Sequence, residues 1–153
     1  PAGTAPAVSG YALIDSANLA FSSRLALTQR ASKTLDIQYY AIHADQIERY
    51  GGADGVRDRG LLEAALYRPQ TGYYADLIEE AAALWESLAQ NHPFLDGNKR
   101  TAFAVTYTFL AINGGRIVAE ALPTHAFIIG LYEAGTFDFE HLVAWLRSNV
   151  SAG

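Results

Sequence analysis

A chain of 153 residues is long enough for one ordinary hydrophobic core and too short for two. Half of its residues are apolar, 18% are charged and the formal net charge is -5, so it is a globular chain without the overall basic field that attracts nucleic acid. The absence of cysteine excludes disulfides and thiolate metal sites and fits a reducing cytoplasm. The longest apolar run, Phe103 to Ile112, carries two threonines and a tyrosine and falls far short of a membrane span. With no basic n-region ahead of an apolar stretch, no signal peptide is expected either. The expectation is a cytoplasmic protein with no membrane partner and no direct nucleic-acid partner.

In chain order, residues 1–10 (PAGTAPAVSG) are small and uncharged, with the composition of a linker or tag. From Tyr11 to Leu27 the apolar positions suit one helical face, which makes 1–31 an N-terminal extension with a candidate helix. The domain proper is expected over 32–153. Its first helix should run from about Leu35 to Tyr50, with Thr34 as N-cap and Gly51-Gly52 as the stop. A short helix over Gly60–Tyr67 follows, capped by Asp58 and ended by Pro69. RPQTGYY mixes turn residues with β-formers and reads as a loop or small hairpin. A strong helix covers about Asp76 to Gln90, with Leu77, Ala81, Leu84 and Leu88 along one stripe. The next should start at Gly97 or Asn98 and stop at Asn113-Gly114-Gly115. PTHAFIIGLYEAG gives a helix ended by Gly135, and DFEHLVAWLRSN a last one with Asp138 as cap. With no strand-helix alternation and no internal repeat, the fold class is all-α.

The densest polar cluster, NHPFLDGNKRTA, lies between two apolar helices, where a short polar turn would suffice. Pro93 disfavours α geometry for His92, so the first helix stops there and leaves the imidazole at its end. Phe94 and Leu95 can be buried to pin the turn. Gly97 permits backbone that residues with a Cβ avoid, and a Gly-Asn step opening a helix presents free N–H groups that bind anions. Lys99 and Arg100 have the wrong sign for the helix dipole, so a bound polyanion explains them better than folding does. Asp96 is a hard oxygen ligand of the type Mg²⁺ takes alongside phosphate oxygens, and His92 can accept a proton near neutral pH. Together these residues describe phosphoryl or nucleotidyl transfer. Each has a plainer reading when taken singly: a structural histidine, an N-cap, a solvated cation pair.

HPFLDGNKRTA also resembles the Fic motif, His-Pro-Phe-x-Asp/Glu-Gly-Asn-Gly/Lys-Arg, at every fixed position. The resemblance implies a compact helical bundle with a short flap, and transfer from ATP onto a target hydroxyl. It assigns His92 as the base, Asp96 as the Mg²⁺ ligand, and Gly97, Asn98, Lys99 and Arg100 as the phosphate cradle. Two departures from the AMP-transferring members matter. Lys99 stands where they have glycine, and Phe103 where they often have a second arginine. Lysine followed by RTA looks like the death-on-curing (Doc) branch, as do IHADQIERYGG and GVRDRGLLEAALYRPQ, so the resemblance covers about Thr34 to Arg147. In that branch the implied activity is transfer of the γ-phosphate to elongation factor Tu by the toxin of a type II toxin–antitoxin pair. A Phd-like antitoxin segment would fold as a helix over its groove. The alternative is a Fic AMP-transferase.

RPQTGYY falls where Fic proteins place a flap, which makes Arg68, Gln70, Tyr73 and Tyr74 candidates for target docking. Arg57 and Asp58 read as a helix cap and its ion-pair partner, and His43 and His125 as packing or surface histidines. Thr136 to Glu140 mimics a self-inhibitory Ser/Thr-x-x-x-Glu pattern, but a helix start explains the same letters.

Overall fold

A computed structural model describes residues 32–152, with side chains from Tyr39 onward. The expected helix over Tyr11–Leu27 lies outside the described residues. Helix α1, Ser32–Tyr50, begins two residues before Thr34, which therefore sits in the first turn and not at the cap. Its stop is as expected: the Gly51 N–H bonds to the Ile47 carbonyl at 2.8 Å with φ at 85°. Helix α2, Arg59–Tyr67, is capped by Asp58, whose carboxylate accepts from the Leu61 N–H at 3.0 Å. Its α-helical turns end at Tyr67, two residues ahead of Pro69, as expected. The helix tightens into a 3₁₀ turn, Arg68–Gln70, with Pro69 buried at its start, where a missing N–H breaks no bond. The rest of RPQTGYY is loop without strand pairing.

Helix α3, Leu77–Asn91, and helix α4, Asn98–Ile112, pack most extensively and form the centre of the domain. Small residues let them approach: Ala81, Ala82, Ala89, Ala102 and Ala104 are all buried. Trp85, 1% exposed, meets Phe103, Phe137 and Trp145 edge-on at 5.4–5.9 Å. Helix α5, Ala121–Ala134, starts two residues ahead of Pro123, which is tolerated because first-turn N–H groups have no partner in the helix anyway. Helix α6, Phe139–Asn149, is capped by Asp138 as expected and packs on α3.

One element was not anticipated. Strands β1, Gly115–Ile117, and β2, Val150–Ala152, pair antiparallel with Arg116 opposite Ser151 and join the end of α4 to the end of α6. Three-residue strands are too short for alternation to show in a sequence. Otherwise the described residues form a six-helix bundle, in which no helix is long and apolar enough to cross a membrane.

Asp76 starts the helix that carries the polar cluster. Its Oδ1 accepts from the Glu79 N–H at 3.0 Å and its Oδ2 from Arg147 at 2.9 Å. The Glu79 N–H first, and Arg147 next, hold this carboxyl below the ordinary carboxylate value. A lowered folded-state pKa means that the stabilisation is complete above the unfolded value and is lost as pH falls through the folded one. Asp76→Ala should cost about 1 kcal/mol in urea unfolding at neutral pH, a cost typical of a lost N-cap. That difference should shrink once the pH falls below the carboxylate range. A cost equal at both pH values would show that the cap bond is not its source.

Candidate active site

The cluster occupies the seven-residue turn from His92 to Asn98, between the C-terminus of α3 and the N-terminus of α4. His92 ends α3 in the left-handed region, φ 49° and ψ 55°, and is the non-glycine with positive φ among the described residues. A residue with a Cβ pays roughly 1–2 kcal/mol for that conformation, so neighbouring structure must hold it there. Arg57 does so: its Nε and Nη2 donate to the carbonyls of His92 and Asn91 at 2.8 and 2.9 Å. A cation on the last carbonyls of a helix is also favoured by the dipole. Arg57 is thus a clamp on the end of α3, and not the ion-pair partner of Asp58 that the sequence suggested.

Phe94 is 2% exposed and anchors the turn. The Asn98 side chain accepts from the Phe94 N–H at 2.9 Å and donates to the Phe94 carbonyl at 3.0 Å, closing the loop on itself. Gly97 sits at φ 71° as the N-cap of α4 and has no side chain to cap with, so the first-turn N–H groups face outward uncapped. A Cβ on Gly97 would lie 3.1 Å from Ile47 and 3.2 Å from the Arg100 guanidinium. The Asp96 carboxylate accepts from the Gly97 N–H at 2.8 Å and is exposed.

A strap from 51 to 58 crosses this turn. The Leu95 N–H bonds to the Gly55 carbonyl at 2.9 Å, and the Arg57 and Asp58 N–H groups bond to the Pro93 carbonyl at 2.7 and 3.1 Å. Val56 and Phe94 form an isolated antiparallel bridge. Gly52, at φ 116°, passes so close that a Cβ there would stand 2.6 Å from Asp96 Oδ2. One glycine is enough to stop a helix; the second of the Gly51-Gly52 pair makes room for a carboxylate.

The two cations have partners within the fold. The Lys99 ammonium stands 4.3 Å over the Tyr132 ring on α5, and burial pushes the Tyr132 hydroxyl up to about 12. Arg100 donates to the Gly51 carbonyl at the end of α1 at 2.8 Å and lies over the Tyr50 ring. Arg100 therefore has a folding role that offsets its unfavourable place at the positive end of the α4 dipole. Its Nε is buried without a hydrogen-bond partner.

His92, Leu95 and Asp96, with residues 97–100, line a polar cavity of about 360 Å³. Beside it lies a second cavity of about 480 Å³, lined mainly by apolar and aromatic side chains, including Tyr50, Phe103, Ile128 and Tyr132. Lys99 and Arg100 border both cavities, whereas His92 and Asp96 border only the first. A polar cavity with an exposed imidazole, a carboxylate and an uncapped helix start, opening onto an aromatic one, can take a phosphorylated aromatic compound.

The segment expected to act as a flap is held mostly inward. Arg68 donates to Tyr74, Glu86 and Ser87 at 2.7–2.8 Å, and Gln70 to the Leu66 carbonyl at 2.9 Å. Tyr73 is 83% exposed. Of the other histidines, His125 borders the apolar cavity. His43 is buried and its Nε2 lies 2.8 Å from the Asp96 carbonyl, a contact between positions 53 residues apart that no local pattern could reveal.

Residues 35–110, from α1 to within two residues of the end of α4, match the model of the Fic/DOC family. The chain is 51% identical over 76 residues to a protein named Toxin Doc from Mycolicibacterium smegmatis, covering 46% of this chain and 58% of that one. It is 38% identical over 81 residues to a protein named Protein kinase doc from Escherichia phage P1, covering 50% and 64%. The chain thus spans less than two thirds of the length of either curated relative.

Gly52→Ala should be far more damaging than a loop substitution usually is. Alanine would be strained at φ 116°, where glycine is not, and its methyl would meet the Asp96 carboxylate. A loss of about 2 kcal/mol of stability is expected, together with shifted Gly97 and Asn98 amide resonances. Unchanged resonances would show that the strap does not press on Asp96.

Proposed function

Because the chain belongs to the Fic/DOC family, we propose that it is a Doc-like toxin that moves the γ-phosphate of ATP onto a hydroxyl of a protein target. The observation that carries this reading is the position of the aromatic cavity. It opens at Lys99 and Arg100, not at His92. An adenine ring seated there sends its phosphates past the two cations into the polar cavity, and the phosphate that arrives beside His92 is the terminal one. In AMP transfer the α-phosphate would have to lie there instead.

In this reading His92 takes the proton of the target hydroxyl as its oxygen attacks the γ-phosphorus, the bond to the bridging oxygen breaks, and ADP leaves. The first-turn N–H groups of α4 and the Lys99 ammonium carry the charge that spreads over the phosphoryl oxygens. No group of three or more acidic or histidine residues able to hold a metal is present among the described residues. The donor set nevertheless fits Mg²⁺, which takes one or two carboxylates and fills its other positions with phosphate oxygens and water. Asp96, exposed on the polar cavity, would be that carboxylate, and the ion would neutralise phosphate charge.

Elongation factor Tu is the proposed target, with arrest of translation as the outcome, and a Phd-like antitoxin helix is the proposed regulator. Tyr73, exposed beside Arg68 and Tyr74, is the flap side chain open to a target.

With pure protein, Mg²⁺ and bacterial lysate, label from γ-labelled ATP should appear on a protein of the size of the translation factor, and label from α-labelled ATP should not. His92→Ala should lower transfer by about 10²–10⁴-fold, a loss typical of a missing general base, and should abolish growth arrest while leaving the helical content unchanged. Labelling from the α-position would overturn the kinase reading in favour of AMP transfer.

A further inference from the structure

The proposed reaction depends on the direction of one peptide group, between Asp96 and Gly97. In a trans peptide the C=O and N–H point opposite ways, so the direction of the Asp96 carbonyl fixes that of the Gly97 N–H. Glycine at position 97 leaves this peptide free to rotate, because both orientations are allowed to a residue without a Cβ. An outside contact has to choose between them.

We infer that His43 makes that choice and is a positioning residue for the phosphate site, an inference that rests on the proposed reading of this site. His43 lies on α1 and is 2% exposed. Its ring stacks on Phe94 with centroids 3.9 Å apart and planes 7° apart, so the buried anchor of the turn holds the imidazole flat. Its Nε2 lies 2.8 Å from the Asp96 carbonyl oxygen. A carbonyl can only accept, so the ring carries a proton on Nε2 and donates it. Its Nδ1 faces the carboxylate of Asp54 on the strap at 3.4 Å. A Cβ on Gly97 would come within 3.9 Å of Nε2, which places the ring edge directly beneath the start of α4.

The bond pulls the Asp96 carbonyl toward α1. The Gly97 N–H therefore faces away from α1, where it meets the Asp96 carboxylate at 2.8 Å on the polar cavity. The N–H thereby fixes the Asp96 carboxylate on the cavity, and His43 touches neither the cavity nor the reacting atoms. A core histidine that only packs would need the ring and not the proton. The two contributions can be separated chemically: phenylalanine keeps a flat ring on Phe94 without a donor, and glutamine keeps an N–H donor at similar reach without the ring.

The test compares His43→Phe and His43→Gln in the full chain. One measurement is the ¹⁵N–¹H signal of Gly97 without nucleotide, and the other is phosphate transfer from γ-labelled ATP. In His43→Phe the Gly97 signal should shift or broaden, and kcat should fall about tenfold or more, the loss expected from a misaimed site. The KM for the protein target should stay unchanged. In His43→Gln the Gly97 signal should lie near its original position and most of the turnover should return. A phenylalanine variant with an unmoved Gly97 signal and full turnover overturns the inference. So does a folded glutamine variant as impaired as the phenylalanine one, and this arm decides the matter if the phenylalanine variant does not fold. If the unsubstituted protein transfers no phosphate, the functional reading falls, while the Gly97 signals still decide whether His43 aims this peptide.

Discussion

The site is organised around one buried ring. Phe94 points into the core from the middle of a turn that is otherwise polar, and its own backbone N–H and C=O are both taken by the Asn98 side chain. Pro93 and Phe94 are buried together, while His92 ahead of them and Asp96 beyond them are exposed. The strap from 51 to 58 and the ring of His43 then close on Phe94 from α1 and its following loop. Loss of this anchor would release the strap and the start of α4 together, because both are bonded to Phe94. A loop held in this way can present uncapped donors without collapsing onto them, which is the preorganisation that an electrostatic site needs.

The cations show how folding and binding share residues. At the start of α4 a positive side chain is disfavoured by the α4 dipole. Arg100 offsets this by reaching the carbonyl that follows α1, where the dipole of that helix has the opposite sense. Lys99 rests on the face of Tyr132, a weaker and more open contact, so its ammonium can swing toward an anion at low cost. The two adjacent cations, alike in the sequence, therefore differ in kind: one is mostly a brace and the other is free to respond.

Much of this could be read from the sequence because helices and their caps are local. Asp58, Asp76 and Asp138 each announce a helix start, Gly51 and Gly135 each mark a stop, and the His-Pro step places the end of α3. The contents of the polar turn were legible for the same reason, since the site occupies a dozen consecutive residues. What was hidden is long-range. Arg57 meets His92 across 35 residues and His43 meets Asp96 across 53, and neither contact leaves a periodic trace. Gly52 hid behind its neighbour, because a glycine pair after a helix already has a sufficient local explanation. The flap segment read as open because its residues are polar and aromatic; Arg68 turned inward where the half-buried Glu86 and the buried Ser87 offered partners.

The left-handed backbone at His92 sets stability against use at this one position. Asparagine or glycine would sit at φ 49° more comfortably than histidine does. If His92 is the base, as proposed, the imidazole is held against a local conformational preference, and a substitution that relaxed the strain would remove the base while leaving the bundle intact or firmer. A duplicated copy of this chain, no longer selected for its chemistry, would be expected to drift at this residue first, and its fold would give no sign of the loss.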